Sequence, residues 1–262
     1  MESHMSHFGE LIKDWRKNRG FSQMELAFES NISSKHISFL ETGRSQPSRE
    51  MIIRLSNSLN IPLNERNILF SAAGFAEAYQ RSDINQPEMK AVRDALSIML
   101  NNHLPYPAVV FDWDWNIMME NQSYQQITQF LREQQPDFPD TTNILEILFD
   151  YNGARPFIEN WDEVASFILQ RLHREKIMFQ DRRSDRLEKL LEYPDIPKSW
   201  QTISFVEQSR PMVNVIINLG QLKLNLFSTL ATFGTAIDIT MEELMIEQYF
   251  PLDEVTKNFF LS

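Results

Sequence analysis

The sequence contains no cysteine and only seven glycines in 262 residues. Without cysteine, the chain has neither a disulfide framework nor a thiolate nucleophile or metal ligand. Seven glycines leave little material for a glycine-rich phosphate-binding loop. The sequence also lacks an apolar run of about 18 residues and a secretory signal pattern. We therefore expect a cytoplasmic protein that spans no membrane.

The residues on which most enzymes and metal sites depend are not arranged for either role. The five histidines show no spacing typical of metal ligands. Asp112 and Asp114 flank Trp113 in "FDWDW", but aspartate is common in turns and no third catalytic partner is evident. We expect no enzymatic activity, no resident cofactor and no metal site. An enzyme joined to a DNA-binding domain remains one alternative.

Charge is distributed unevenly along the chain. The net charge is −11, which by itself disfavours binding to phosphates. Residues 1–80, however, contain nine basic and nine acidic side chains, so the whole acidic excess lies in the remainder. The first third of the chain is therefore free to bind a polyanion, and the acidic remainder would be repelled by it.

The stretch "GFSQMELAFESNISSKHISFLETGRSQPS", residues 20–48, contains a series of helix start and stop signals. Ser22 can cap a helix over Gln23–Glu29, and Ser33 or Ser34 can cap a second helix. The second helix ends near Glu41, whose side chain we expect to make structural hydrogen bonds. Two short helices joined by a tight turn, inside a unit of five helices, predict a helix-turn-helix.

The composition changes along the chain and predicts two domains. We assign residues 6–78 to an all-α domain, residues 79–87 to a polar linker, and residues 88–262 to a second domain. The first five residues include a Ser-His-Met sequence typical of an expression vector, and they are excluded from this assignment.

Hydrophobic spacing in the second domain predicts helices and strands in an α+β fold. A helix is predicted over Glu88–Asn101, followed by strands at Ala108–Phe111 and Asn116–Asn121. The middle section is predicted to be helical, most strongly in "PFIENWDEVASFILQRLHREKIMF". A hairpin about Gly220 follows, and "EELMIEQYFP" fits either a further strand or a helix. These elements predict an antiparallel sheet with helices over one face.

Two parts of the chain resemble known families. "SKHISFLETGRSQPSREMIIRLSNSLNIPLNERN" is similar to the Xre/Cro-type helix-turn-helix of phage repressors. "YPAVVFDWDWNIMMEN", "RPFIENWDEVASFILQRLHRE" and "LFSTLATFGTAIDITMEELMIEQYFP" resemble the ligand-binding domain of MmyB-like transcription regulators. The resemblance implies a PAS-like sheet that binds a small apolar ligand, with fatty acids as the precedent.

The helix-turn-helix reading assigns contacts with double-stranded DNA to particular side chains. Lys35 and His36 can donate to guanine, and Arg44 can bind a phosphate. The resemblance implies a contact at Gln23. Alternatively, Gln23 and His36 face solvent, and Phe39 either touches a thymine methyl group or packs. The predicted DNA-contacting residues are Gln23, Ser33, Ser34, Lys35, His36, Ser38, Phe39 and Arg44.

A ligand site in the second domain rests mainly on the resemblance. Large apolar side chains are usually plain core, and arginines on a helix are often ordinary surface charges. If the core is partly hollow, an acyl chain can enter it and an arginine near its mouth can bind a carboxylate. The predicted ligand-binding residues are Trp115, Met119, Phe149, Arg155, Phe157, Trp161, Arg171 and Phe227.

These features predict a sequence-specific transcription regulator, most simply a repressor, whose second domain senses a small apolar ligand. We expect a homodimer on a pseudo-palindromic operator, because one recognition helix reads too few base pairs to select a site. The alternative is an autorepressor whose second domain serves only dimerisation or protein binding.

Overall fold

A computed structural model describes residues 2–179, 185–202 and 212–262. The chain forms two compact units. The first is built from Met1–Ser82 together with two later segments, Lys176–Asp181 and Gly234–Glu242. The remaining residues form the second unit.

The first unit is helical, as predicted. Its helices share one core that includes Phe8, Trp15, Leu26, Ile37 and Phe70. In residues 2–82 the helices are α1 (Glu2–Asn18), α2 (Gln23–Ser30), α3 (Ser34–Glu41), α4 (Arg49–Ser58) and α5 (Leu63–Ala72).

Serine side chains start the short helices where the sequence predicts them. The Ser22 hydroxyl accepts from the Glu25 N–H at 3.1 Å, and the Glu25 carboxylate accepts from the Ser22 N–H at 2.7 Å. This reciprocal pair satisfies two N–H groups that a helix start leaves without partners. Ser33, rather than Ser34, caps α3 by accepting from the His36 N–H at 3.2 Å. Asn31 adopts a left-handed φ of 52° in the turn between α2 and α3.

The segment Gly234–Glu242 belongs to the first unit, although it lies far along the chain. The Ile239 N–H donates to the Gln80 carbonyl at 2.9 Å, and the Ser82 hydroxyl donates to Asp238 at 2.7 Å. The Glu242 carboxylate accepts from the Leu63 N–H at 2.7 Å. Since Pro62 precedes α5 and provides no side-chain cap, Glu242 supplies the cap from a distant part of the sequence.

The second unit is an antiparallel sheet with helices. Its described strands are β1 (Ala108–Phe111), β2 (Ile117–Glu120), β3 (Val215–Asn218), β4 (Lys223–Thr232) and β5 (Met245–Pro251). The described helices after α5 are α6 (Lys90–Asn102), α7 (Gln122–Gln134), α8 (Ile144–Phe149), α9 (Trp161–Phe179), α10 (Arg186–Leu191), α11 (Ile239–Glu243) and α12 (Glu254–Leu261). Of these, α11 up to Glu242 and the end of α9 from Lys176 belong to the first unit.

The five strands have the order β2-β1-β5-β4-β3, and all described pairs are antiparallel. The predicted hairpin joins β3 to β4, with Gly220 at φ +86° in the turn. The central strand β5 pairs with β1, where Val109 lies opposite Glu247.

The prediction that helices cover one face of the sheet is wrong. Successive residues of a strand point to opposite faces, and those of β1 belong to two separate cores. Val109 packs with residues of α8, α9 and α10, whereas Val110 packs with Leu96 and Leu100 of α6. Strand β1 is therefore buried on both faces, in keeping with its continuous apolar run.

Two elements differ from their predicted extents because of tertiary pairing. The predicted helical run that begins at Pro156 becomes α-helical only at Trp161. Ile158 instead pairs with Ile217, and the Glu159 N–H donates to the Ile216 carbonyl at 2.9 Å. The ambiguous "EELMIEQYFP" contains the end of helix α11 followed by strand β5.

Candidate functional site

The exposed side of α3 carries the predicted base-reading residues. Ile37, Leu40 and Glu41 are buried against the rest of the first unit. Ser34 and Lys35 are exposed, on the side of the helix opposite this buried face. Because Ser33 and Ser34 stand at the N-terminal end of α3, this end can enter a major groove without disturbing the core.

The longer side chains next to this end have definite neighbours. The Lys35 ammonium lies 5.6 Å from the centre of the Phe39 ring, one turn further along α3. Phe39 is half-buried and Ser38 is half-buried beside it. His36 is half-buried, with Nε2 shielded from solvent and no hydrogen-bond partner. Arg44 is exposed beyond the end of α3.

A buried ionic network fixes α3 against α1 and α2. The Arg16 guanidinium donates to both carboxylate oxygens of Glu41, at 2.6 and 3.0 Å. It also donates to the Phe21 carbonyl at 2.7 Å. The Gln23 amide donates to the same carboxylate at 2.8 Å. The structural role predicted for Glu41 is confirmed, and Gln23 takes part in that role whether or not it also contacts DNA.

The second unit contains an apolar cavity of about 140 Å³. Side chains of the sheet form one wall and helices α7 and α8 form the other. Polar atoms enter this lining mainly from Tyr124, Thr128 and Tyr249. The lining residues are Pro107, Tyr124, Ile127, Thr128, Leu131, Ile144, Ile147, Leu148, Ala154, Phe157, Ile158, Val215, Ile217, Leu226 and Tyr249.

A second cavity of about 110 Å³ adjoins the first and shares Val215, Leu226 and Tyr249 with it. Here the lining includes Ser228 and Glu247, which adds polar groups to the apolar wall. The two cavities together present an apolar body and a polar end, the arrangement usual in small-molecule sites.

Burial changes the acidity of the groups around this polar end. It raises the pKa of Glu247, although hydrogen bonds from Ser228 and Tyr249 act in the opposite direction. Burial likewise raises the pKa of Tyr249 and of Tyr124, and the nearby Glu247 charge adds to both shifts. The ionised forms are disfavoured because they lose water without gaining full compensation.

The predicted ligand-binding residues fall into three groups. Phe157 lines the larger cavity and Phe227 lines the smaller one. Trp115, Phe149 and Trp161 belong to the core beside the helices, and Met119 packs on the opposite face of the sheet. The sequence did not predict a role for Tyr124 of helix α7, or for Ser228, Glu247 and Tyr249, which the pairing of β4 with β5 brings together.

Both predicted head-group arginines are already engaged. Arg155 is buried, where it donates to the Pro194 carbonyl at 2.9 Å and pairs with Asp195 at 3.3 Å. Arg171 pairs with Glu175 at 2.8 Å and lies 4.7 Å from the centre of a Trp115 ring.

Comparison with known proteins decides the family. The family described as "MmyB-like transcription regulator ligand binding domain" matches residues 92–261, more than half of the chain. This chain belongs to that family. Residues 12–66 match the family described as "Helix-turn-helix". The MmyB-like chain is thus a helix-turn-helix transcription regulator with a ligand-binding domain.

Several named proteins are similar to part of this MmyB-like regulator. The ImmF control region 10 kDa protein of Bacillus phage phi105 is 38% identical over 56 residues, which are 21% of this chain and 62% of that protein. The restriction-modification controller protein C.AhdI from Aeromonas hydrophila is 28% identical, with a TM-score of 0.24, over 24% of this chain and 97% of its own. The clp gene regulator ClgR from C. glutamicum is 28% identical, with the same TM-score of 0.24, over 29% and 92%.

The described part of the chain offers neither a metal site nor a membrane-spanning helix. In residues 2–179, 185–202 and 212–262, no group of three or more histidine, aspartate or glutamate side chains is placed to hold a metal ion. Within the same ranges, no helix is both long and apolar enough to cross a membrane.

Proposed function

We propose that this protein is a sequence-specific, cytoplasmic repressor that binds its operator as a homodimer and responds to a small apolar ligand. The observation that carries the DNA-binding part is the exposed N-terminal end of α3, held by the buried Arg16–Glu41–Gln23 network. The cavity beneath α7 and α8 supports the ligand-binding part. A PAS-like sheet and a fatty-acid ligand are what the family resemblance implies.

Recognition is proposed to divide between two kinds of contact. Lys35 reads a base edge from the start of α3, while Arg44 neutralises a phosphate beyond its end. Ser33, Ser34, His36, Ser38 and Phe39 would shape the same surface. Base contacts specify the sequence, whereas phosphate contacts only position the protein.

Measurement of DNA affinity for two variants tests this division. Lys35→Ala should weaken operator binding by about 1–3 kcal/mol and relax preference at one base position. Arg44→Ala should weaken binding to every sequence and reduce the salt slope by about one. Lys90→Ala removes an exposed charge from α6, in the second unit, and serves as the control. If Lys35→Ala weakens the affinity for operator and for random DNA equally, Lys35 contacts the DNA backbone rather than a base.

Dimer formation and operator symmetry are tested together by footprinting and light scattering. A homodimer should protect two half-sites about one helical turn apart, or a multiple of it. A monomer that protects a single half-site at working concentrations would contradict the proposal.

We propose that ligand binding affects the first unit through the strands that line the cavities. Both β4 and β5 line the cavities, and the segment between them, Gly234–Glu242, is part of the first unit. A ligand shifts operator affinity only if it binds one arrangement of the protein better than the other. A coupling of about 1–3 kcal/mol would change operator affinity roughly 5- to 150-fold.

Reciprocity provides the measurement, because operator DNA must then change ligand affinity by the same factor. Ligand titrations with and without operator would reveal it. If the ligand affinity is the same with and without operator, ligand binding does not control DNA binding. The role of the second unit is then dimerisation or protein binding.

A further inference from the structure

The polar groups of the smaller cavity are acidic rather than basic. Among the residues that the structure describes, neither cavity lining contains a lysine, arginine or histidine. Glu247 is the charged residue in the lining of the smaller cavity, and Tyr249 lines both. A bound carboxylate would therefore meet another carboxyl group instead of a cation.

The Glu247 carboxylate is held in place by neighbouring hydroxyl groups. Ser228 donates its hydroxyl to Glu247 Oε1 at 2.6 Å. The Tyr249 hydroxyl, two residues along the same strand, also donates to Glu247. A carboxylate has about four lone-pair sites, so these two donors leave acceptor capacity for a ligand.

The nearest cation does not neutralise this carboxylate fully. Arg171 acts favourably on Glu247, but it forms its direct ion pair with Glu175 at 2.8 Å. Among the described side chains, Arg171 is thus shared between Glu175 and Glu247. Glu120 also acts on Tyr124 on the cavity wall, and Arg132 acts in turn on Glu120.

Cavity size restricts the apolar part of the ligand. The larger cavity measures about 140 Å³, and an engineered apolar cavity of about 150 Å³ is large enough for benzene. A ligand with roughly six to eight apolar heavy atoms fits this space, whereas a long acyl chain would require the wall to move.

We propose that the ligand is a small primary amine, with its apolar body in the larger cavity and its ammonium group at Glu247. This inference rests on the proposed ligand-binding function and specifies the chemistry of the head group. The ammonium has three donors, which can reach the carboxylate and the hydroxyl oxygens of Ser228 and Tyr249. A hydrogen bond between two charged groups is shorter and stronger than one between neutral groups.

Calorimetric titration of the full chain with three probes of equal chain length tests the proposal at pH 7. Hexylamine, hexanol and hexanoate share one apolar body and differ in their head groups. We expect hexylamine to bind most tightly and hexanoate most weakly, with an amine-to-carboxylate ratio of roughly tenfold or more. Glu247→Gln should remove most of this preference.

A matched control distinguishes the loss of the Glu247 contact from the loss of one negative charge elsewhere in the protein. Glu159→Gln removes the same charge from an exposed ion pair with Lys223, and it should leave the preference unchanged. Thermal melts of each variant confirm folding, and Ser228→Ala provides a milder change at the same carboxylate. If hexanoate binds the wild-type protein most tightly, or if Glu159→Gln abolishes the preference equally, the amine assignment is wrong and a ligand site remains. If none of the probes binds, both the amine assignment and the proposed ligand function fall.

Discussion

The buried pair between Arg16 and Glu41 should be far more important for stability than the exposed pair between Arg54 and Glu50. The Glu41 carboxylate has a side-chain exposure of 2% and accepts from Arg16 Nε at 2.6 Å. Glu50 also lies 2.6 Å from its arginine, but its side-chain exposure is 73%. The two pairs thus match in distance and differ in solvation.

Glu41→Gln removes the charge while keeping the shape, and it leaves the Arg16 guanidinium buried without a counter-ion. Loss of one partner of a buried pair costs about 3–5 kcal/mol. The same change at an exposed pair four residues apart costs about 0.3–0.5 kcal/mol. Since about 1.4 kcal/mol corresponds to a factor of ten, Glu41→Gln should raise the opening constant by two powers of ten or more.

Hydrogen-exchange mass spectrometry of the full chain provides the assay, because it reports the opening of α1–α3 separately from the second unit. We expect protection in α1–α3 to fall strongly for Glu41→Gln and by less than about threefold for Glu50→Gln. The double variant Arg16→Met/Glu41→Leu should recover most of the loss, because apolar side chains replace both charges. Equal losses of protection for Glu41→Gln and Glu50→Gln would refute the reasoning.

Three further predictions concern single residues. Glu242→Ala leaves the Leu63 N–H without its partner and should destabilise the first unit by about 0.5–2 kcal/mol in urea unfolding; the exposed Glu77→Ala is the control, and equal effects would exclude a cap. Asn31→Ala removes the short polar side chain that makes a left-handed φ of 52° tolerable and should cost about 1 kcal/mol in thermal unfolding, whereas Asn31→Gly should not. Burial raises the pKa of Glu247, so its protonated form is favoured in the folded state. The contribution of Glu247 to stability should be most favourable below the ordinary pKa of a glutamate and should decline as pH rises through the folded value. Denaturation midpoints from acidic to neutral pH should show this decline for the wild type and a smaller one for Glu247→Gln; parallel curves would count against it.

Local signals allowed the first unit to be predicted closely. Ser22 and Ser33 cap helices, and Asn31 forms a turn, through contacts with residues only a few positions away in the sequence. Such contacts can be predicted from the neighbouring residues. The buried side of α3 follows from helical spacing in the same way. Even the partnership of Glu41 was anticipated, although the identity of Arg16 as its partner was not.

The cavity could not be predicted from comparable signals. The hydrophobic pattern pointed to Phe149 and Trp115 as ligand-binding residues, but both are buried in the core. The size of an apolar side chain does not show whether it packs against other side chains or lies beside a cavity. Helix α7 contributes Tyr124 and Leu131 to the cavity. Its sequence "QSYQQITQFLREQ" is mostly polar and therefore does not indicate a wall of an apolar site. Ser228 meets Glu247 only through the pairing of β4 with β5, a relation between distant positions.

The Gly234–Glu242 segment has a consequence for how such a chain can be rearranged. The first unit is discontinuous in sequence, since it closes only when a loop from far downstream supplies Ile239 and Glu242. A fragment that ends at Ser82 would lack both. A chimera with a new DNA-binding head therefore needs more than a junction near residue 82, because the β4–β5 loop has to be exchanged together with the head.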